Sequence, residues 1–126
     1  MIGYVTLGTN NIERAAGFYD QLLGQLGAAR MMEADTFIAW AVSPGAPAIS
    51  ITKPYDGNAA TVGNGMMVAI VVDEPAKVDA LHAKALSLGG ADEGQPGPRG
   101  NSGFYAAYFR DLDGNKLNVF CMQSSS

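Results

Sequence analysis

The feature that most constrains this chain is a repeat of its own opening: displaced by 63 residues, Val5 falls on Val68, Leu7 on Ile70 and Gly27 on Gly90. Strand, helix and stop recur in phase, which marks a structural unit used twice. In the first copy, residues 4–8 (YVTLG) alternate around Val5 and Leu7 as a half-buried strand does. Asn10, with Glu13 shortly after it, reads as a helix cap, and Ile12, Ala15, Ala16, Tyr19, Leu22 and Leu23 then share one side at helical spacing. Either Gly24 or Gly27 stops that helix. Short strands at 28–32, 36–42 and 48–53 follow, separated by acidic or Gly and Pro turns, so the copy reads βαβββ. In the second copy, residues 67–72 (MVAIVV) form the strand and Asp73-Glu74-Pro75 starts the helix. Val78, Leu81, Ala85 and Leu88 mark its buried side, and Gly89-Gly90 ends it. A short strand after Gly90 gives way at residues 94–103 (GQPGPRGNSG) to a segment expected to be irregular. Strands at 104–110 and 116–122 flank Asp113-Gly114, a signal for a tight hairpin turn.

A chain of 126 residues suits one domain, with a first module at about 1–62 and a second at about 63–123. Hydrophobic residues at 48% and charged ones at 16% are enough for a core without disulfides or a structural metal. A net charge of -4, with eight Lys and Arg against twelve acids, excludes nucleic acid as a partner, since phosphate binding needs a basic face. No apolar run approaches the roughly 18 residues of a membrane helix, and no secretory leader precedes the first strand, so a cytoplasmic protein is expected. Cys121 is the lone cysteine, and its place in an apolar strand points to a buried, inert thiol. Disorder is expected only in the tail Ser124, Ser125, Ser126.

Three stretches carry a specific resemblance: YVTLGTNNIERAAGFYDQLLGQLG, GNGMMVAIVVDEPAKVDALHAKAL and GFYAAYFRDLDGNKLNVF. Together they resemble the vicinal oxygen chelate superfamily of glyoxalases, bleomycin-resistance proteins and dioxygenases. The most distinctive piece is Tyr108-Phe109-Arg110-Asp111-Leu112-Asp113-Gly114-Asn115. The resemblance implies an α+β fold of two βαβββ modules whose mixed sheets curl around an open cleft, with the helices outside. Relatives include lactoylglutathione lyases, extradiol dioxygenases and metal-free drug-sequestering proteins, so the fold alone selects no reaction.

It also implies that metal ligands, where relatives have them, come from the first and last strand of each module. By motif match those positions here are Tyr4, Ser50, Met67 and Asn118. Strand alternation agrees independently: Val5 and Leu7, Ile49 and Ile51, Val68 and Ile70, and Leu117 and Val119 form helix-facing sets. Tyr4 and Thr6, Ser50 and Thr52, Met67 and Ala69, and Asn118 and Phe120 are left for the cleft. A phenol, a hydroxyl, a thioether and a carboxamide are a poor set for Zn, Mn, Fe or Ni, so neither metal nor cofactor is expected.

Tyr4 and Tyr108 are hydrogen-bond donors without an evident activating partner, and Tyr4 can equally fill the space a metal would take. Met66-Met67 offers an adaptable apolar wall or plain filler. Trp40 would stack on a ligand if it faces the cleft, the orientation assumed here although Phe37, Ala39 and Ala41 compete with Ile38, Trp40 and Val42 for that face. Arg99 is the one charge of the 94–103 segment, a receptor for a carboxylate or a solvated loop charge. His82 reads as a flanking helix residue outside the cleft, and Asp111 as a hairpin-binding group, because the Asp111 and Asp113 spacing does not fit a calcium loop. Gly63-Asn64-Gly65 precedes a strand, which excludes a phosphate loop.

The ligand-binding cleft is therefore assigned Tyr4, Thr6, Trp40, Ser50, Met67, Arg99, Tyr108, Asn118 and Phe120, with no catalytic residue identified. The reading that follows is a metal-independent binder of a small organic ligand. The alternatives are a glyoxalase-type lyase or isomerase, or a dioxygenase-like enzyme, with a non-standard site, and an interaction module whose cleft holds no ligand. Exposed sheet edges make a homodimer the expected assembly.

Overall fold

The computed structural model describes residues 1–123, so the Ser124, Ser125, Ser126 tail lies outside the described residues. The chain divides into two compact units, the first spanning Met1–Asn64 and the second starting at Gly65. In the first, β1 (Tyr4–Gly8), α1 (Ile12–Gly24), β2 (Ala29–Glu33), β3 (Phe37–Ala41) and β4 (Ala48–Thr52) form a four-stranded sheet in the order β1-β4-β3-β2. In the second, β5 (Val68–Val71), α2 (Pro75–Ser87), β6 (Ala91–Pro98), β7 (Phe104–Arg110) and β8 (Lys116–Met122) repeat it as β5-β8-β7-β6. Each is a βαβββ module whose first and last strands pair in parallel while the rest pair antiparallel. No helix of the described residues is long and apolar enough to cross a membrane.

Cross-strand register fixes which side chains share a face. Leu7 lies against Ile51, Val5 against Ile49, and Ile49 in turn against Trp40, so Trp40 belongs with the helix-facing set. This corrects the cleft assignment of Trp40. Its indole is 2% exposed, tilts against Tyr19 of α1 at 5.6 Å and donates Nε1–H to Asp20 Oδ1 at 2.8 Å. The amphipathic Trp finds apolar cover and a polar partner together on the helix. Asp20 also receives two hydrogen bonds from Arg30 of β2, at 2.9 and 2.7 Å. Beneath α1 lie Phe18, Tyr19, Leu22 and Leu23, all buried.

Several local expectations shift. The α1 cap is Asn11, whose carboxamide oxygen accepts from Arg14 N–H at 3.0 Å. Asn10 is not free to cap because it accepts from Ala60 N–H at 2.7 Å and donates to Ala60 O at 3.2 Å. The helix ends at Gly24, and the chain reverses through Gly27. In the second unit β6 runs to Pro98, where an irregular segment from Gly94 onward was expected. Its prolines are tolerated because β6 is an edge strand, and two register shifts, one on each side of Gly94, absorb the irregularity.

The β7–β8 hairpin carries its turn at Asp113-Gly114, but the loop spans residues 111–115. Buried Asp111 organises it: Oδ1 accepts from Asp113 N–H and Asn115 N–H at 2.9 Å each, and Oδ2 from Asn115 Nδ2 at 3.0 Å. On α2, His82 is buried, with Nε2 2.9 Å from Asp92 Oδ1 and its ring edge-on to Phe109. Cys121 is also buried, and burial pushes its thiol pKa up, away from nucleophilic use.

Replacing Asp20 with Ala should cost about 1–2 kcal/mol, because the buried indole N–H loses its acceptor. Urea unfolding followed by Trp40 fluorescence measures it. The Arg30 hydrogen bonds hold the Asp20 pKa below its ordinary value. The stabilisation is therefore present above the unfolded aspartate pKa of about 3.9 and is lost as pH falls through the folded one. The gap between wild type and D20A should narrow on acidification below that range.

Candidate functional site

Each sheet has one face under its helix and one face turned away from it, and alternation places the sequence-derived site residues that lie on strands, Trp40 aside, on the second kind; Met67 and Arg99 lie just outside strands. In the first unit Tyr4, Thr6, Ser50 and Thr52 share that face. Ser50 is fully buried; its hydroxyl donates to Val5 O at 2.8 Å, so the 2.9 Å contact with Thr6 Oγ1 uses the threonine proton. Thr52 Oγ1 lies 3.1 Å from Thr36 O and 2.9 Å from Lys53 O. Tyr4 on β1 and Phe37 on β3 stand on the strands flanking β4, and their rings meet edge to face at 6.3 Å. The rings thus bridge the strand that carries Ser50, while Tyr4 stays 64% exposed.

In the second unit the corresponding face carries Ala69 and Val71 of β5, Lys116, Asn118 and Phe120 of β8, and Phe104, Ala106, Tyr108 and Arg110 of β7. Asn118 is 1% exposed and turns Nδ2 to Ala107 O at 3.0 Å and Val119 O at 3.3 Å, and its Oδ1 accepts no hydrogen bond among the described residues. Phe104 and Phe120 pack ring against ring at 5.4 Å. Met67 precedes β5 and is exposed.

Arg99 follows β6 and folds back over it. Its guanidinium donates to Gln95 O at 2.7 Å and Gly97 O at 2.9 Å and lies 5.5 Å from the centre of the Tyr108 ring. The glycines make this seat: a side chain at Gly94 would meet Tyr108 Cδ2 at 3.0 Å and an Arg99 nitrogen at 3.4 Å, and one at Gly97 another at 3.3 Å. Lys116 Nζ approaches the same Tyr108 ring to 5.6 Å.

Arg99, Tyr108, Asn118 and Phe120 are therefore brought together on one face, and Tyr4, Thr6 and Ser50 on another. Sequence reasoning passed over Phe37, Phe104 and Lys116. Parity could have found Lys116, which stands two positions before Asn118 on the same strand face. The Arg99 seat had no such signal, because the glycines around it read as loop.

The donor set does not fit a catalytic divalent cation. Ser50 Oγ is spent on a main-chain carbonyl, Asn118 presents its amide nitrogen to two more, and a thioether and an exposed phenol complete the set. Among the described residues no three His, Cys, Asp or Glu side chains converge.

A family model described as the Glyoxalase/Bleomycin resistance protein/Dioxygenase superfamily matches residues 1–119. Among solved structures, a glyoxalase/bleomycin resistance protein from Albidiferax ferrireducens T118 is 35% identical, with a TM-score of 0.88, covering 98% of this chain and 99% of its own. A lactoylglutathione lyase from Agrobacterium tumefaciens is 18% identical, with a TM-score of 0.70 over 96% of this chain and 92% of that one. The genomically encoded fosfomycin resistance protein of Listeria monocytogenes is 15% identical, with a TM-score of 0.74 over 98% and 93%. At such identities the last two show a shared fold alone. No curated protein matches the chain.

Substituting Gly94 with Ala should displace the Tyr108 ring and cost about 1–3 kcal/mol through overpacking. Gly17→Ala in α1, where an added Cβ meets nothing within 4 Å, should instead stabilise by about 0.5–1 kcal/mol. Urea midpoints and the Tyr108 ring signals in NMR spectra test the contrast.

Proposed function

Since the chain belongs to the Glyoxalase/Bleomycin resistance protein/Dioxygenase superfamily, we propose that it binds a small organic molecule without the metal that enzymes of this kind use. The observation that carries this reading is the donor set: the Ser50 hydroxyl is turned to a main-chain carbonyl, and Asn118, its amide nitrogen bonded to two more, offers only a neutral amide oxygen where a ligand set would need imidazole or carboxylate. In their place the sheet faces offer aromatic rings and methionine with a few polar groups, the usual lining of a pocket for an organic ligand. His82 supports no acid–base role in such a site, because it lies on the buried side of α2, bonded to Asp92. We further place the protein in the cytoplasm, in keeping with its one buried free cysteine.

Purified protein should contain no stoichiometric metal by elemental analysis, and Zn, Ni, Mn or Fe should leave its melting temperature unchanged. A fragment library should include compounds that raise it, as binding to the native state alone must; a ligand at 100 times its Kd adds about 2.7 kcal/mol. A tightly held divalent ion would overturn the reading.

We propose a homodimer as the working assembly. Tyr4, Val71 and Met122 expose large apolar surface, and β1 and β5 each stand at a sheet edge, where unpaired backbone groups favour association. Light scattering at micromolar concentration should give twice the chain mass; a monomer throughout would refute it.

A further inference from the structure

The second unit's open face is polarised along its strands. On β8 it runs from Lys116 through Asn118 to Phe120, and on β7 from Arg110 through Tyr108 and Ala106 to Phe104. One end is cationic and the other is built from the packed Phe104 and Phe120 rings, with Val71 beside Phe120 in register.

The cationic end contains three positive side chains, and Arg110 is neutralised by Glu93 at 2.9 Å. Arg99 and Lys116 have no acidic partner among the described residues. Both are instead drawn to the ring of Tyr108, one from the strand on each side of β7. A cation–π contact attracts a cation without neutralising it. Two uncompensated cations thus converge on one tyrosine in a chain whose net charge is -4.

Arg99 is also held in place in advance. Its bonds to Gln95 O and Gly97 O use part of the guanidinium's five N–H donors and fix its plane, leaving others free. Among the described residues Lys116 and the Tyr108 hydroxyl make no hydrogen bond, and neither does Asn118 Oδ1. Bracing β6 explains the Arg99 bonds alone; it does not explain Lys116, which belongs to a different strand and braces nothing.

Resting on the proposed binding function, we infer that the ligand of this face is an organic carboxylate. Its anionic group is held by Arg99 and Lys116 beside Tyr108, its apolar body lies on Phe104 and Phe120, and Asn118 Oδ1 accepts from any donor between the two. Fixed donors hold a carboxylate well because little is lost in ordering them.

The test uses phenylacetate, its uncharged counterpart phenylacetamide, and inorganic phosphate, titrated into the full chain with backbone amide NMR as readout. Phenylacetate should perturb the Tyr108, Asn118 and Phe120 signals, with phenylacetamide and phosphate each at least tenfold weaker. Arg99→Gln and Lys116→Gln should each weaken phenylacetate at least fivefold, and the spectra themselves report whether the variants are folded. Equal binding of the amide overturns the anion assignment while leaving the binding function intact, and equal binding of phosphate overturns the organic half. Absence of any phenylacetate effect at these residues overturns the inference, and a fragment library that also yields no ligand removes the binding function with it.

Discussion

The parallel register between the first and last strand of each unit is the constraint on which the rest depends. With Leu7 opposite Ile51 and Ile70 opposite Val119, one parity of the first and last strand of each unit is committed to the helix, and the other parity is left to form the second face. A slip of one residue would exchange the two sets. Burying the aliphatic set under α1 and α2 makes that exchange costly, at roughly 1.5–3 kcal/mol for each large side chain moved to water.

Within that frame the buried polar groups are settled by the backbone. Ser50 and Asn118 sit in central strands with almost no exposure, and a buried hydroxyl or amide left unpaired costs about 1–3 kcal/mol. Both answer this by donating to neighbouring carbonyls, which stabilises the sheet, commits the Ser50 hydroxyl and leaves Asn118 only a neutral amide oxygen. The groups still available for recognition are Tyr4, Arg99 and Lys116 at or beyond strand ends, with Tyr108 and the Asn118 amide oxygen inside the second sheet. In the second unit these produce a surface with charge at one end and aromatic carbon at the other.

The repeat, both helices and seven of the eight strands were legible in the sequence because each carries its own period or stop signal; of β6 only a short start after Gly90 was. Parity likewise assigned Tyr4, Thr6, Ser50, Asn118 and Phe120 to a common kind of face. It failed at Trp40, where the flanking residues are apolar on both sides and alternation carries no information; the acceptor on Asp20 decided the orientation. It failed also at Asn10 and Asn11, adjacent residues equally able to cap, since the choice lay with Ala60, far away in sequence. Residues 94–98 read as loop because glycine and proline disfavour strands on average, and an edge strand is where that average is suspended.

What the sequence determined by itself is the duplicated plan, the helix-facing core and the residue types at the ligand positions, because each of these follows from local spacing and side-chain chemistry. Only the tertiary structure decided that Trp40 serves α1, that the Ser50 hydroxyl and the Asn118 amide nitrogen are spent on the main chain, and that Arg99 and Lys116 meet over Tyr108. Those outcomes depend on which strands become neighbours. A hydrogen bond or a cation–π contact is set by distances of a few ångströms between residues that the chain keeps far apart until the sheet forms.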